Sequence, residues 1–326
     1  MADTLSLSLK HPNLWRNRLK RDMLCFTLVC LLLCLVPLLQ LSDYSLGILI
    51  VALYFAMISM SWNLLAGYTG QFSMAPAAFA MLGGYIMGLL DFHFQVSLSW
   101  AVPLAIFGTG LLGLFLGTIV IRLKGPYLSL TTLSFAEIAR VIIANSHEYT
   151  RGDQGLNVPT MFVDRVVYYY VFVAFVFGMG LLIYALMKSR FGGYFLAIRD
   201  DPEGAESRGI PVAKYKLWAF TISCCLCGFA GAMYGSFSQL VSPEMGLLQQ
   251  TGLVISMVVI GGIGSMSGPL IGALLVYLGS EWLRDVGNIQ MIVFALIVII
   301  FARFFRTGLW GLTQLLILKL TQHKSK

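Results

Sequence analysis

Residues 46–90 read LGILIVALYFAMISMSWNLLAGYTGQFSMAPAAFAMLGGYIMGLL. Two apolar runs flank the stretch GYTGQFSMAP at 67–76, which holds glycines, a threonine, a glutamine, a serine and a proline but no charge. A solvated loop would carry charge, and an uninterrupted helix would not carry Gly67, Gly70 and Pro76 together. Backbone groups freed by such a break cannot face lipid without partners; a break survives at membrane depth when it is buried in protein or lines a wet cavity. The stretch therefore reads either as a tightly packed turn between two membrane spans or as part of a working surface.

The whole chain supports the membrane reading. Of its 326 residues, 58% are hydrophobic and 11% charged, and the mean hydropathy is +0.82. Soluble domains carry charge on about a quarter of their residues, so this chain lacks the polar surface to cover a core in water. The net charge of +7 does not point to nucleic acid, because no basic stripe is interleaved with aromatics. The basic residues sit instead between apolar spans, where the positive-inside bias puts them.

Runs of about 20 apolar residues fall near 23–40, 46–66, 71–90, 99–121, 126–144, 166–187, 215–239, 249–266, 268–283 and 289–305, giving about ten spans. Lys10, Arg16, Arg18, Lys20 and Arg21 place the N-terminus inside. Counting from there puts Arg122 and Lys124 inside, then the cluster from Lys188 to Lys216, then Arg303 to Lys326. Asp43, Asp91, Glu148, Asp153, Asp164, Glu244 and Asp285 fall outside. Both termini are then cytoplasmic, and an odd number of passes would put one basic cluster on the wrong side. Residues 1–22 are too long and polar before the first apolar run for a cleaved signal peptide. They read as a cytoplasmic lead-in.

Other chemistries are excluded by context. GTGLLG at 108–113 matches a dinucleotide fingerprint by letter, but it lies inside an apolar span with no preceding strand. Gly110, Gly113 and Gly117 read as points of close helix approach. No P-loop is present, so active transport would need an ion gradient or a separate ATPase. Cys25, Cys30 and Cys34 lie in one span and Cys224, Cys225 and Cys227 in another, with no CxxC, and they read as small packing residues. The four histidines lie outside the spans or at their ends. No catalytic residue, metal site or cofactor site emerges.

The inner loop 189–216 contains a helix of about two turns. Asp200 or Asp201 caps it, Pro202 opens it, Glu203 and Glu206 suit its N-terminal half, Arg208 suits its last turn and Gly209 ends it. The sequence AIRDDPEGAESRGIPVAKYKLWAF resembles the cytoplasmic coupling loop of ABC importer permeases, above all the branched-chain amino acid permease family of the LivM type. Glu203, Ala205 and Gly209 match the acidic-Ala-x-x-x-Gly core of that loop. WNLLAGYTGQFSMAPAAFAMLGGY, GPYLSLTTLSFAEIAR, TRGDQGL, FAGAMYGSFSQLVSPE, VVIGGIGSMSGPLIGA and RTGLWGL resemble further blocks of the family in order, over about residues 45–312. The chain departs from the family where Ala75-Pro76 replaces Gly-His.

The resemblance implies an all-α polytopic helical bundle of the type II ABC importer kind, embedded in the bilayer of a bacterial-type inner membrane. Residues 1–22 would be a cytoplasmic segment, 23–312 the transmembrane permease domain and 313–326 a cytoplasmic tail. Its implied partners are a homologous second permease, two ABC ATPase subunits that hydrolyse ATP, and a periplasmic or extracellular substrate-binding protein meeting loops 147–165 and 240–248. Coupling to the ATPases would fall to Asp201, Glu203, Ala205, Glu206, Arg208 and Gly209.

The stretch GGIGSMSGP at 261–269 repeats the pattern of GYTGQFSMAP: glycines and small polar residues, a proline, then an apolar run. Transporters often carry paired broken helices of this sort, and an uncharged break suits a zwitterionic amino acid. The expected translocation path or gate is therefore Asn63, Gly67, Gly70, Gln71 and Ser73 with Gly261, Gly264 and Ser265. Glu137 and Arg140, three apart on one span, are expected to pair with each other. The function expected is import of branched-chain or related neutral amino acids. Urea or short amides are the alternative substrates, and an ion-coupled secondary transporter is the alternative class.

Overall fold

A computed structural model describes residues 12–39, 42–123 and 125–283, with residues 296 and 299. The long helices are α1 (Pro12–Leu35), α2 (Asp43–Thr69), α3 (Pro76–Phe94), α4 (Leu98–Val120), α5 (Pro126–Asn145) and α6 (Arg165–Lys188). Two shorter helices follow, α7 (Arg190–Asp200) and α8 (Pro202–Ser207). Then come α9 (Val212–Ser238), α10 (Leu248–Gly261) and α11 (Gly268–Trp282). Local chemistry sets many of the starts. Ser42 and Asp164 cap α2 and α6 with their side chains, and Pro76, Pro126 and Pro202 open α3, α5 and α8, where a missing N–H costs nothing.

Helix α2 is the central element and is buried along most of its length. Helix α9 runs antiparallel beside it: Tyr54 stacks on Tyr234 at 4.2 Å, and Ser223 Oγ donates to Ser61 O at 2.8 Å. Helix α11 is antiparallel to α2 as well, with Tyr44 OH donating to Glu281 at one end and Asn63 meeting Ser265 at the other. Helices α3 and α9 approach so closely that a methyl group at Gly83 would strike the backbone of Gly228, and one at Gly231 the backbone of Ala80. Without water to squeeze out between helices in lipid, this backbone-to-backbone packing is what holds them. Gly110 and Gly113 of α4 face Cys225 and Cys224 of α9, the close packing expected of both glycines and cysteines.

At the far end of α2 from Gly70, a small antiparallel pair joins two loops: Leu156 sits opposite Val241 and Asn157 opposite Leu240. The segment that follows α5 is thus tied to the one that follows α9. Gln239 belongs to this tie, as the left-handed cap of α9, rather than to a span.

Seven of the described helices are long and apolar enough to cross a membrane. Three expected spans differ in their limits. Residues 70–75 are not helical, so the span expected at 71–90 begins at Pro76 and runs to Phe94. The spans expected at 249–266 and 268–283 are helices of 14 and 15 residues, each rising only about 21–23 Å against a hydrocarbon core of about 30 Å. The tenth, 289–305, falls almost wholly outside the described residues, as does the tail 313–326. At the N-terminal side α1 already begins at Pro12 and carries the basic lead-in into the first span as one helix.

Candidate functional site: a seam between two broken helices

The two glycine-rich breaks, 200 residues apart in sequence, meet in space. Gly70 ends α2 with φ +72°, a left-handed conformation that glycine adopts without strain. Beyond α10, Gly262 and Gly264 take φ +124° and +74° before α11 restarts at Gly268. Ser265 folds this second break on itself: its Oγ donates to Gly262 O at 2.6 Å and accepts from Gly268 N–H at 3.2 Å.

Asn63 staples the breaks together. Its Nδ2 donates to Ser265 O at 2.8 Å, and its Oδ1 accepts from Gly264 N–H at 2.8 Å. One buried amide thus satisfies a donor and an acceptor of a backbone that has no helix to supply them. Gly67 lies directly alongside, so close that a methyl there would sit 2.7 Å from Gly264 N. Gly261 packs on Gly268 and Gly272 one layer away.

The 70–75 segment is held from three sides. Gln71 Nε2 donates to Thr69 Oγ1 at 3.0 Å and to Lys216 O, at the start of α9, at 3.1 Å. Trp62 Nε1 donates to Ser73 O at 2.7 Å. From α5, Thr132 Oγ1 accepts from Met74 N–H at 2.9 Å, and Ser129 Oγ donates to Phe72 O at 2.9 Å. Gln71 and Ser73 are buried. The void beside them, between Trp62, Ser73, Pro76, Phe220 and Cys224, measures only ≈ 10 Å³. The two breaks therefore meet through Asn63 and Gly67 with Gly264 and Ser265, while Gln71 and Ser73 are held by α9 and α2.

The short helix expected in the inner loop is present as α8, opened by Pro202 and capped by Asp201. A second helix not expected from sequence, α7, precedes it and meets it at a corner. Asp201 is the cap: its N–H donates to Ala197 O at 3.0 Å, closing α7, and its Oδ1 accepts from Gly204 N–H at 3.0 Å, opening α8. Asp200 turns aside to Arg199. Ala205 is buried against the body, while Glu203, Glu206 and Arg208 project outward. Gly209 turns the chain with φ +81°, and its N–H donates to Glu206 O at 2.9 Å.

Residues that sequence reading passed over join the site. Thr132 and Ser129 hold the first break from α5, and Arg199 of α7 donates from Nη1 to Gly67 O at 3.0 Å. Arg199 carried a signal, a cation two residues before the coupling-helix cap Asp201; the two hydroxyls carried none.

Glu137 and Arg140 pair on α5, with Arg140 Nε at 3.1 Å from both carboxylate oxygens. The pair is not packed away: the Glu137 side chain is 51% exposed. Tyr127, Leu130 and Ser134 lie exposed on the same helix face.

The family described as branched-chain amino acid transport system, permease component, matches residues 44–302. The high-affinity branched-chain amino acid permease LivM of Salmonella typhimurium is 27% identical, over 84% of this chain and 71% of that protein. LivH of the same organism, also a high-affinity branched-chain amino acid permease, is 22% identical over 75% of this chain and 89% of its own length. The fructose import permease FrcC of Rhizobium meliloti is 28% identical over 68% of this chain and 65% of that protein. No solved structure matches.

Proposed function

Since this chain belongs to the family of permease components of branched-chain amino acid transport systems, we propose that it forms one membrane half of an ATP-driven importer for branched-chain or related neutral amino acids. The second half is a homologous permease, a pairing suggested by similarity to both LivM and LivH. Two separate ATPase subunits dock on the α7–α8 corner at Asp201, Glu203, Ala205, Glu206, Arg208 and Gly209. A substrate-binding protein meets the opposite face, at the loops tied by the Leu156–Val241 pair. The positive-inside bias puts the corner in the cytoplasm, with Arg199, Arg208, Lys214 and Lys216 around it. The seam of Asn63, Gly67, Gly70, Gln71 and Ser73 with Gly261, Gly264 and Ser265 is the cytoplasmic-side gate.

The observation that carries the path is the exposed Glu137–Arg140 pair. A charge facing lipid at mid-span costs about 2.5–3.5 kcal/mol on insertion scales, and pairing relieves only part of that. A helix with Ser134, Glu137 and Arg140 on its open side is therefore turned toward water and a second protein surface. Helix α4 offers the contrast, with Phe107, Leu111, Phe115 and Ile119 exposed and no charge among them.

Thiol labelling tests this placement. In an assembled importer freed of Cys25, Cys30 and Cys34, Ser134→Cys reacts with a membrane-impermeant thiol reagent, and substrate slows the reaction. Leu111→Cys on α4 stays unreactive. Equal silence at both positions would put α5 against lipid and remove the path from this face.

A further inference from the structure

We propose that Arg199 is a positioning residue that ties the ATPase-docking corner to the gate, so that movement of α8 changes the state of the seam; this rests on the importer reading above. Near its C-terminus α2 leaves a carbonyl without its usual helical partner. Gln71 N–H, which would serve Gly67 O in a continued helix, turns instead to Leu65 O at 3.3 Å. Arg199 Nη1 takes up the orphaned Gly67 carbonyl at 3.0 Å, as a cation suits the negative end of a helix.

The same side chain touches both breaks. A methyl group at Gly70 would lie 3.2 Å from Arg199 Cγ, and one at Gly264 3.5 Å from Arg199 Nη1. Its guanidinium is aimed by Asp200, which receives both Nε and Nη2 at 3.0 Å. A planar fork holding a carboxylate on one edge and a carbonyl on the other is geometry that lysine cannot copy.

The other end of the link is stiff. Arg199 stands two residues before Asp201, whose bonds to Ala197 and Gly204 close one helix and open the next. Ala205 N–H donates to Asp201 O at 3.0 Å. Helix α7 is seated by buried Phe195, Leu196 and Ile198, and Tyr194 packs on Tyr215 of α9 at 4.8 Å. A displacement of α8 therefore reaches Arg199 through hydrogen-bonded backbone rather than a slack linker. It arrives at Gly67, the residue pressed against Gly264.

The test uses the full importer in proteoliposomes, with ATP hydrolysis and uptake of labelled leucine measured on the same vesicles. Arg199→Met keeps the ATPase subunits bound and hydrolysing, while uptake per ATP falls about tenfold, within the range of ordinary inter-site coupling. Gly209→Pro, which removes the Glu206 bond and cannot hold φ +81°, acts one step earlier: it releases the ATPases and hydrolysis falls with uptake. A merely structural role for Arg199 would lower both rates together and leave their ratio unchanged, and an unchanged ratio overturns the proposal. If the methionine variant fails to reach the membrane, Arg199→Lys decides, with a ratio lowered at least about threefold in support and a wild-type ratio against. A wild-type complex that does not couple ATP to uptake would sink the importer reading itself, whereas a coupled wild type with an equally coupled Arg199→Met sinks only this proposal.

Discussion

Gly70→Val stops uptake while the protein still reaches the membrane and still holds its ATPase subunits. Two effects combine at that position. Valine is a poor occupant of φ +72°, and a non-glycine residue held there costs on the order of 1–3 kcal/mol. Its Cβ would also press on Arg199 Cγ at 3.2 Å and Cα at 3.5 Å, so the strain falls on the contact between gate and corner. A bias of that size between open and shut seams corresponds to roughly a 5- to 150-fold change in population. Gly70 is exposed, so the fold can give way locally without collapsing. Uptake and membrane abundance measured together check the claim. Loss of membrane abundance in step with uptake would mean that 67–76 is only a packed turn.

Asn63→Leu does more damage, and of another kind. It takes the Asn63 partner from Ser265 O, which is buried, and from Gly264 N–H, which is half-buried, at up to about 1–3 kcal/mol for each unpaired group. The expected result is a lower thermal midpoint for the purified complex and little or no uptake by the protein that survives. Gln71→Ala, by contrast, removes two bonds but leaves Lys216 O near the edge of the bundle, and it lowers uptake with the thermal midpoint nearly intact. A midpoint unchanged in Asn63→Leu would show that the two breaks are not stapled as described.

Much of this was legible in the sequence. Apolar runs gave the long helices because lipid demands the same length and polarity of every span, and the glycine–proline punctuation marked both breaks. The limits were not legible. Residues 71–75 are apolar enough on average to read as helix; they stay unwound because Thr132 and Ser129, on another helix, bind their backbone. GGIGS was read into the span before it for the same reason. Asp200 and Asp201 are equal caps by sequence, and the choice is made by Arg199, which draws Asp200 away. The convergence of Asn63 on Gly264 and Ser265 is a contact across 200 residues, and no local pattern encodes it. The likeness of the two breaks hinted at a relation between them, but not that one would bind the other.

The account stands on the claim that this chain passes amino acids through a gate driven by ATP hydrolysed elsewhere. Vesicles holding this chain, its second permease and both ATPase subunits, supplied with binding protein and labelled leucine, test it directly. Leucine should accumulate only with ATP and binding protein, and ionophores that collapse ion gradients should leave the rate unchanged. Uptake that persists without ATPase subunits and vanishes with the ion gradient would contradict the account, as would robust ATP-driven uptake of urea with none of leucine.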